Sequence, residues 1–93
     1  MRRELVPSSA FIRATKRLAK KDPPALAAIR ETLTALENDA FDSRLATHKL
    51  KGELTGLWAC SAGYDLRIVF QIVQRNDAEA ILLVSCGKHD EVY

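Results

Sequence analysis

The hydrophobic period of the chain changes once along its length. Leu26, Ile29, Leu33 and Leu36 stand three, four and three residues apart, the stripe of an amphipathic helix. From Leu66 to Val73 the period is two, with Leu66, Ile68, Phe70 and Ile72 alternating with Arg67, Val69, Gln71 and Val73. That pattern predicts a strand with one face packed and the other partly open. The other elements follow from local punctuation. Residues 2–6 predict a short strand that Pro7 ends, because proline cannot donate to a ladder. Ser8 or Ser9 is a suitable N-cap for a helix running to about Lys21. Asp22-Pro23-Pro24 breaks that helix and caps the next, which fades around Glu37-Asn38-Asp39. Gly56 to Cys60 reads as a strand joined to the alternating one through a Ser61-Ala62-Gly63 turn. Gln74 to Asp77 makes another turn, and Ile81 to Cys86 is the last strand, ended by Gly87.

The predicted order is β-α-α-β-β-β. This is an α+β fold, with two N-terminal helices packed on one face of a small, mostly antiparallel twisted sheet and the opposite face free. Ninety-three residues predict a single domain over 1–93. No apolar run reaches 18 residues and no apolar segment follows the basic N-terminus, so a cytoplasmic protein is expected, without membrane span or signal peptide. Cys60 and Cys86 lack CxxC spacing and fall on different predicted strands, so they read as free thiols that approach each other only if those strands are neighbours.

Net charge is only +2, but its placement is uneven. Arg13, Lys16, Arg17 and Lys20, with Lys21 beside them, form a stripe on the first helix, and no acidic residue lies between Glu4 and Asp22. A solvated face ordinarily mixes signs; a single-sign stripe points to a polyanion or an acidic partner segment. A second cluster, THKLKGEL, crowds His48, Lys49 and Lys51 before the sheet, where Lys51 suits a phosphate contact. Arg67 interrupts an aliphatic strand, on the face turned away from the helices, where a planar guanidinium fits a phosphate. The chain closes on SCGKHDEVY, where His89 stands between Lys88 and Asp90 in a stretch too polar for the core. An imidazole that exchanges protons near neutrality, together with Arg and Lys, suits phosphodiester cleavage. Two histidines and scattered carboxylates make no zinc-like spacing, so neither metal nor cofactor is expected.

The runs HKLKGELTGLW, GYDLRIVFQIV and ILLVSCGKHDEVY resemble the RelE/ParE superfamily of bacterial toxins, and within it the YafQ-type mRNA interferases. The resemblance implies a toxin of a type II toxin–antitoxin system that cuts mRNA in the ribosomal A site. Its implied partners are a cognate antitoxin, the ribosome with its mRNA, and operator DNA only through the antitoxin. Within it His89 corresponds to the essential terminal histidine and Tyr93 to a terminal aromatic. His48 matches the histidine of the H-x-L-x-G motif, Asp65 an aspartate before the third strand, and Arg67 an arginine of the corresponding RelE strand. Ala59 and Ser61 stand where YafQ-like proteins have an Asp and a His. The expected reaction is attack of a 2′-hydroxyl on the adjacent phosphate, with His89 as acid, His48 or Asp65 as base, and Arg67 and Lys51 stabilising charge. The helix-one stripe would contact ribosomal RNA, and Lys49, Lys88 and Tyr93 the message. The competing reading is a ParE-like inhibitor that binds DNA gyrase and hydrolyses nothing.

Overall fold

The computed structural model describes residues 2–92. Strand β1 (Glu4–Pro7) leads into helices α1 (Ser9–Lys21) and α2 (Pro23–Asn38), followed by β2 (His48–Lys49), β3 (Trp58–Ser61), β4 (Leu66–Arg75), β5 (Ala78–Lys88) and a terminal turn of helix, α3 (His89–Val92). The predicted order holds, with two additions. The pair His48–Lys49 adds an edge strand, and the tail after Lys88 coils instead of trailing. The five strands lie in the order β1-β5-β4-β3-β2, and only β1 and β5 are parallel. Pro7 lies within β1 rather than after it, an arrangement an edge strand tolerates because one side of it has no ladder to feed.

Both helices begin as their sequences dictate. The Ser8 hydroxyl accepts the Phe11 N–H at 3.1 Å, and the Asp22 carboxylate accepts the Ala25 N–H at 3.2 Å with Pro23 and Pro24 in the first turn. Phe11, Ala14 and Leu18 from α1 and Ile29 and Leu36 from α2 pack on Cys60, Ile68, Phe70, Ile81, Leu83 and Cys86 of the sheet. The β4–β5 hairpin is longer than its apolar run implies. Asn76 and Asp77 both take positive φ, 51° and 62°, so the turn needs only two residues and pairing extends from Arg75–Ala78 to Leu66–Lys88.

One irregularity in that hairpin matters for function. Phe70 pairs with Leu83 but Val69 pairs with Ser85, so Val84 is an extra residue in β5. Strict alternation from Ile81 and Leu83 would have turned Ser85 and Gly87 toward the helices. The bulge reverses this and puts Cys86 in the core instead. Ser8 holds the bulge from the α1 side, its N–H bonded to the Leu83 carbonyl at 3.0 Å and its hydroxyl to the Val84 carbonyl at 3.2 Å.

The N-terminus is stapled by Arg3, which the sequence reading passed over. Its side chain is only 8% exposed; Nη2 and Nε lie 2.9 and 3.0 Å from Glu79 Oε1, and its guanidinium carbon is 5.4 Å from the Phe41 ring centroid. Phe41 in turn meets Trp58 edge-on at 5.1 Å. Cys60 and Cys86 both face the core, but each is a partner of Ile68 from opposite sides. With β4 between them their backbones stand about 10 Å apart, beyond disulfide reach. Burial pushes the Cys60 thiol up to about 12 and the Cys86 thiol up to about 11. Among the described residues no helix is long and apolar enough to cross a membrane.

Candidate active site

On the face turned away from the helices, cross-strand pairing arranges side chains in rows, because directly opposed residues point the same way. One row is His48 on β2, Ala59 on β3, Val69 on β4 and Ser85 on β5. The next is Ser61, Arg67 and Gly87. The ladder then continues one step past β5, where the His89 N–H donates to the Asp65 carbonyl at 2.8 Å. The middle of this face is not open as expected: Ala59 and Val69 are buried and give it an apolar floor. Arg67 lies close to the line from His48 to His89. Strand spacing and rise place its Cα about 12 Å from that of His48, and its partner on β5, Gly87, stands two residues before His89.

Local bonds fix each of these residues. Ala46 takes a left-handed φ of 52° as it leads into β2, and its carbonyl lies 3.0 Å from His48 Nδ1. A carbonyl can only accept, so Nδ1 carries the proton and Nε2 bears the lone pair of the neutral ring. The Arg67 Nη1 donates to the Leu66 carbonyl at 2.9 Å and to the Gly63 carbonyl at 3.5 Å. Nε and Nη2 make no protein hydrogen bond among the described residues and suit a bidentate anion. Arg67 is half-buried, whereas His48, Asp65 and His89 are exposed.

Gly87 is the hinge between strand and histidine. Its φ is +153°, and a Cβ there would lie 3.2 Å from Glu91 Oε1, the atom that accepts the Lys88 N–H at 2.9 Å. Glycine therefore lets α3 fold back over the strand end and begin its turn at His89.

Other predicted residues lie elsewhere. Lys49 turns to the helix side, its Nζ 5.4 Å over the Trp58 ring. Lys51 follows β2 in the direction away from the Arg67 row, so His48 stands between Lys51 and Arg67. The α1 stripe divides. Arg17 and Lys21 line a cavity of about 390 Å³ with Lys88, Asp22 and Glu91, whereas Lys16 borders the groove between α1 and α2 with Arg30. Arg13 and Lys20 are exposed on the same helix. Tyr93 lies outside the described residues. Among the described residues, no three His, Cys, Asp or Glu side chains are grouped to hold a metal ion.

The sequence from residue 3 to 93 matches the family model described as the bacterial toxin of type II toxin–antitoxin systems, YafQ. The chain belongs to the YafQ toxin family. Solved structures agree on the fold. YafQ from Escherichia coli strain BL21(DE3) superposes with a TM-score of 0.78 at 16% identity, over 98% of each chain. YafQ in the E. coli DinJ–YafQ toxin–antitoxin complex gives 0.75 at 17%, over 100% of this chain and 99% of that one. A YoeB/ParE toxin from Agrobacterium tumefaciens gives 0.75 at 16%, over 92% and 98%. No curated protein matches the sequence significantly.

Within this YafQ-family toxin, Ala59 and Ser61 occupy the β3 positions between His48 and Arg67 on the face turned away from the helices. Neither an alanine methyl nor a serine hydroxyl serves as an acid or base near neutrality. The sequence reading also missed Tyr64. It sits at the tip of the β3–β4 hairpin and is as exposed as a side chain in an extended peptide, with a relative accessibility of 102%. Its mark in the sequence is an aromatic directly after Gly63, in a turn where a polar residue would serve.

Proposed function

We propose that this toxin is a ribosome-dependent mRNA endoribonuclease that cleaves by acid–base chemistry on its own side chains and is silenced by a cognate antitoxin. The observation that supports it is the position of Arg67 in the pairing between His48 and His89, on the face of the sheet turned away from the helices. A scissile phosphate over Arg67 would have one imidazole toward each side.

In the reaction, the 2′-oxygen bonds to phosphorus and gives its proton to His48 Nε2. The bond from phosphorus to the 5′-oxygen breaks, and His89 protonates that oxygen. The products are a 2′,3′-cyclic phosphate and a free 5′-hydroxyl. In-line displacement needs base and acid on opposite sides of phosphorus. Asp65 neighbours His89, which favours His48 as the base and gives Asp65 the task of orienting the His89 imidazole. Arg67 stabilises the charge gathering on the phosphate oxygens, ordinarily the largest single contribution. Lys51, beyond His48, reaches a neighbouring backbone phosphate rather than the scissile one. Exposed α1 cations meet ribosomal RNA by charge and shape.

The test is a translating-ribosome assay with mRNA 5′ ends mapped by primer extension. Wild type should cut in phase with codons. His89→Ala and His48→Ala should each lose about 10²–10⁴-fold, the contribution of one positioned acid or base. Arg67→Ala should fall into the same range, and Asp65→Ala should lose less than His48→Ala. Intact mRNA alongside arrested growth would refute the nuclease reading and turn attention to gyrase.

A further inference from the structure

The β3–β4 hairpin tip is built to hold one aromatic ring in water. The Ala62 N–H bonds the Leu66 carbonyl at 2.9 Å, closing a loop of Gly63, Tyr64 and Asp65, and Gly63 supplies a φ of +131°. The loop is fastened on both sides of Tyr64 by residues of the proposed site. Arg67 Nη1 donates to the carbonyl before it, at 3.5 Å, and the His89 N–H donates to the carbonyl after it, at 2.8 Å. Tyrosine is ordinarily half-buried, because its ring gains by leaving water. Here the ring has nothing of its own fold to cover it: its exposure is 102%, against 47% for Phe41 and 42% for Ile12.

We infer that Tyr64 is a stacking platform for a nucleobase of the bound message, next to the phosphate held by Arg67. The inference rests on the nuclease reading and names a substrate contact for the same site. Aromatic rings beside cations are how single-stranded nucleic acid is gripped without reading sequence. The loop's own charge selects the part of the nucleotide it meets. The Asp65 carboxylate repels phosphate, so the backbone lies over Arg67 and the base, which is uncharged, lies over the loop. Because the backbone on both sides of Tyr64 is already fixed, stacking orders little beyond the ring itself.

The experiment uses ribosomes programmed with mRNA that carries 2-aminopurine in the A-site codon, with wild type, Tyr64→Phe, Tyr64→Leu and Tyr64→Ala. Cleavage rates are measured over a range of toxin concentrations, and fluorescence quenching is measured in a His89→Ala background. The ring supports no core contact, so thermal midpoints should match wild type. Tyr64→Ala and Tyr64→Leu should weaken cleavage at limiting toxin by roughly 5- to 150-fold, the loss that follows removal of one base–aromatic stack, and abolish quenching. Tyr64→Phe should keep both. Unchanged cleavage and quenching in Tyr64→Ala would overturn the inference and leave the nuclease reading intact. Tyr64-dependent quenching without cleavage by the wild type would do the reverse. A loss confined to antitoxin binding would make Tyr64 a protein contact and overturn the inference as well.

Discussion

Gly87→Ala is the substitution that best separates the stability of this toxin from the placement of His89. Gly87 stands at φ +153°, and an alanine held there carries strain of about 1–3 kcal/mol. Its Cβ would also press to 3.2 Å on Glu91 Oε1 and loosen the 2.9 Å bond from Lys88 N–H to that carboxylate. The bond is exposed, which limits its share to about 1 kcal/mol. Together the loss is about 1–4 kcal/mol. For a domain of this size that lowers the thermal midpoint by roughly 5–30 °C, and most natural domains survive it. With His89 as the proposed acid, the functional loss should be larger than the unfolded fraction explains, because displacing such a group by about 1 Å costs on the order of 10²-fold. The assay is codon-phased cleavage well below both midpoints, paired with urea unfolding. Glu91→Ala alone removes the Lys88 bond without the φ strain, so it should lose only the smaller part of the stability. An alanine variant that melts lower yet cuts like wild type would refute the view that this turn positions His89. One that melts at the wild-type temperature would refute the strain argument itself.

Other outcomes follow from the packing. Arg3→Ala should cost about 2–3 kcal/mol in chemical denaturation, because it leaves Glu79 unpaired and uncovers Phe41; a change under 0.5 kcal/mol would contradict the staple. Ser8→Ala should cost about 1–2 kcal/mol, since one hydroxyl both caps α1 and holds the Val84 bulge, and Ser8→Thr should keep most of that stability. The two thiols are held above their ordinary value, so their contribution is complete below about pH 9 and is lost as pH rises toward about 11 and 12. Alkaline unfolding should therefore begin above pH 9, shift upward in Cys60→Ala relative to its own neutral-pH stability, and be preceded by no thiol labelling of the native protein. Conversely the Arg44 side chain and N–H hold the Asp42 carboxyl down to about 2, so its contribution persists at neutral pH and is lost between about pH 4 and 2. Asp42→Asn should flatten acid unfolding in that window.

Much of this toxin is settled by short-range chemistry, which is why it can be read from the chain. Ser8 and Asp22 cap helices because their oxygens meet N–H groups three residues on, and Pro23 can only begin a helix. The stripe of Leu26, Ile29, Leu33 and Leu36 and the alternation from Leu66 to Ile72 follow from the two backbone periods, and they place Arg67 on the face away from the core. His89 stands out because nothing apolar surrounds it in sequence. What local chemistry cannot supply is the partner of each strand. The two-residue β2 has no period to detect, so the row linking His48 to Ala59, Val69 and Ser85 exists only through pairing. Both cysteines face the core, yet the strand order alone sets β4 between them. Arg3 looks like an ordinary terminal charge until Glu79, 76 residues away, meets it. The bulge at Val84 is the clearest case. Along β5 an unbroken alternation would aim Ser85 and Gly87 at the helices, and only the competing demands of Phe70 for Leu83 and Ile68 for Cys86 force in the extra residue that brings the strand end to the open face. The sequence determined which residues could do chemistry; core packing across the hairpin decided which side of the sheet they share.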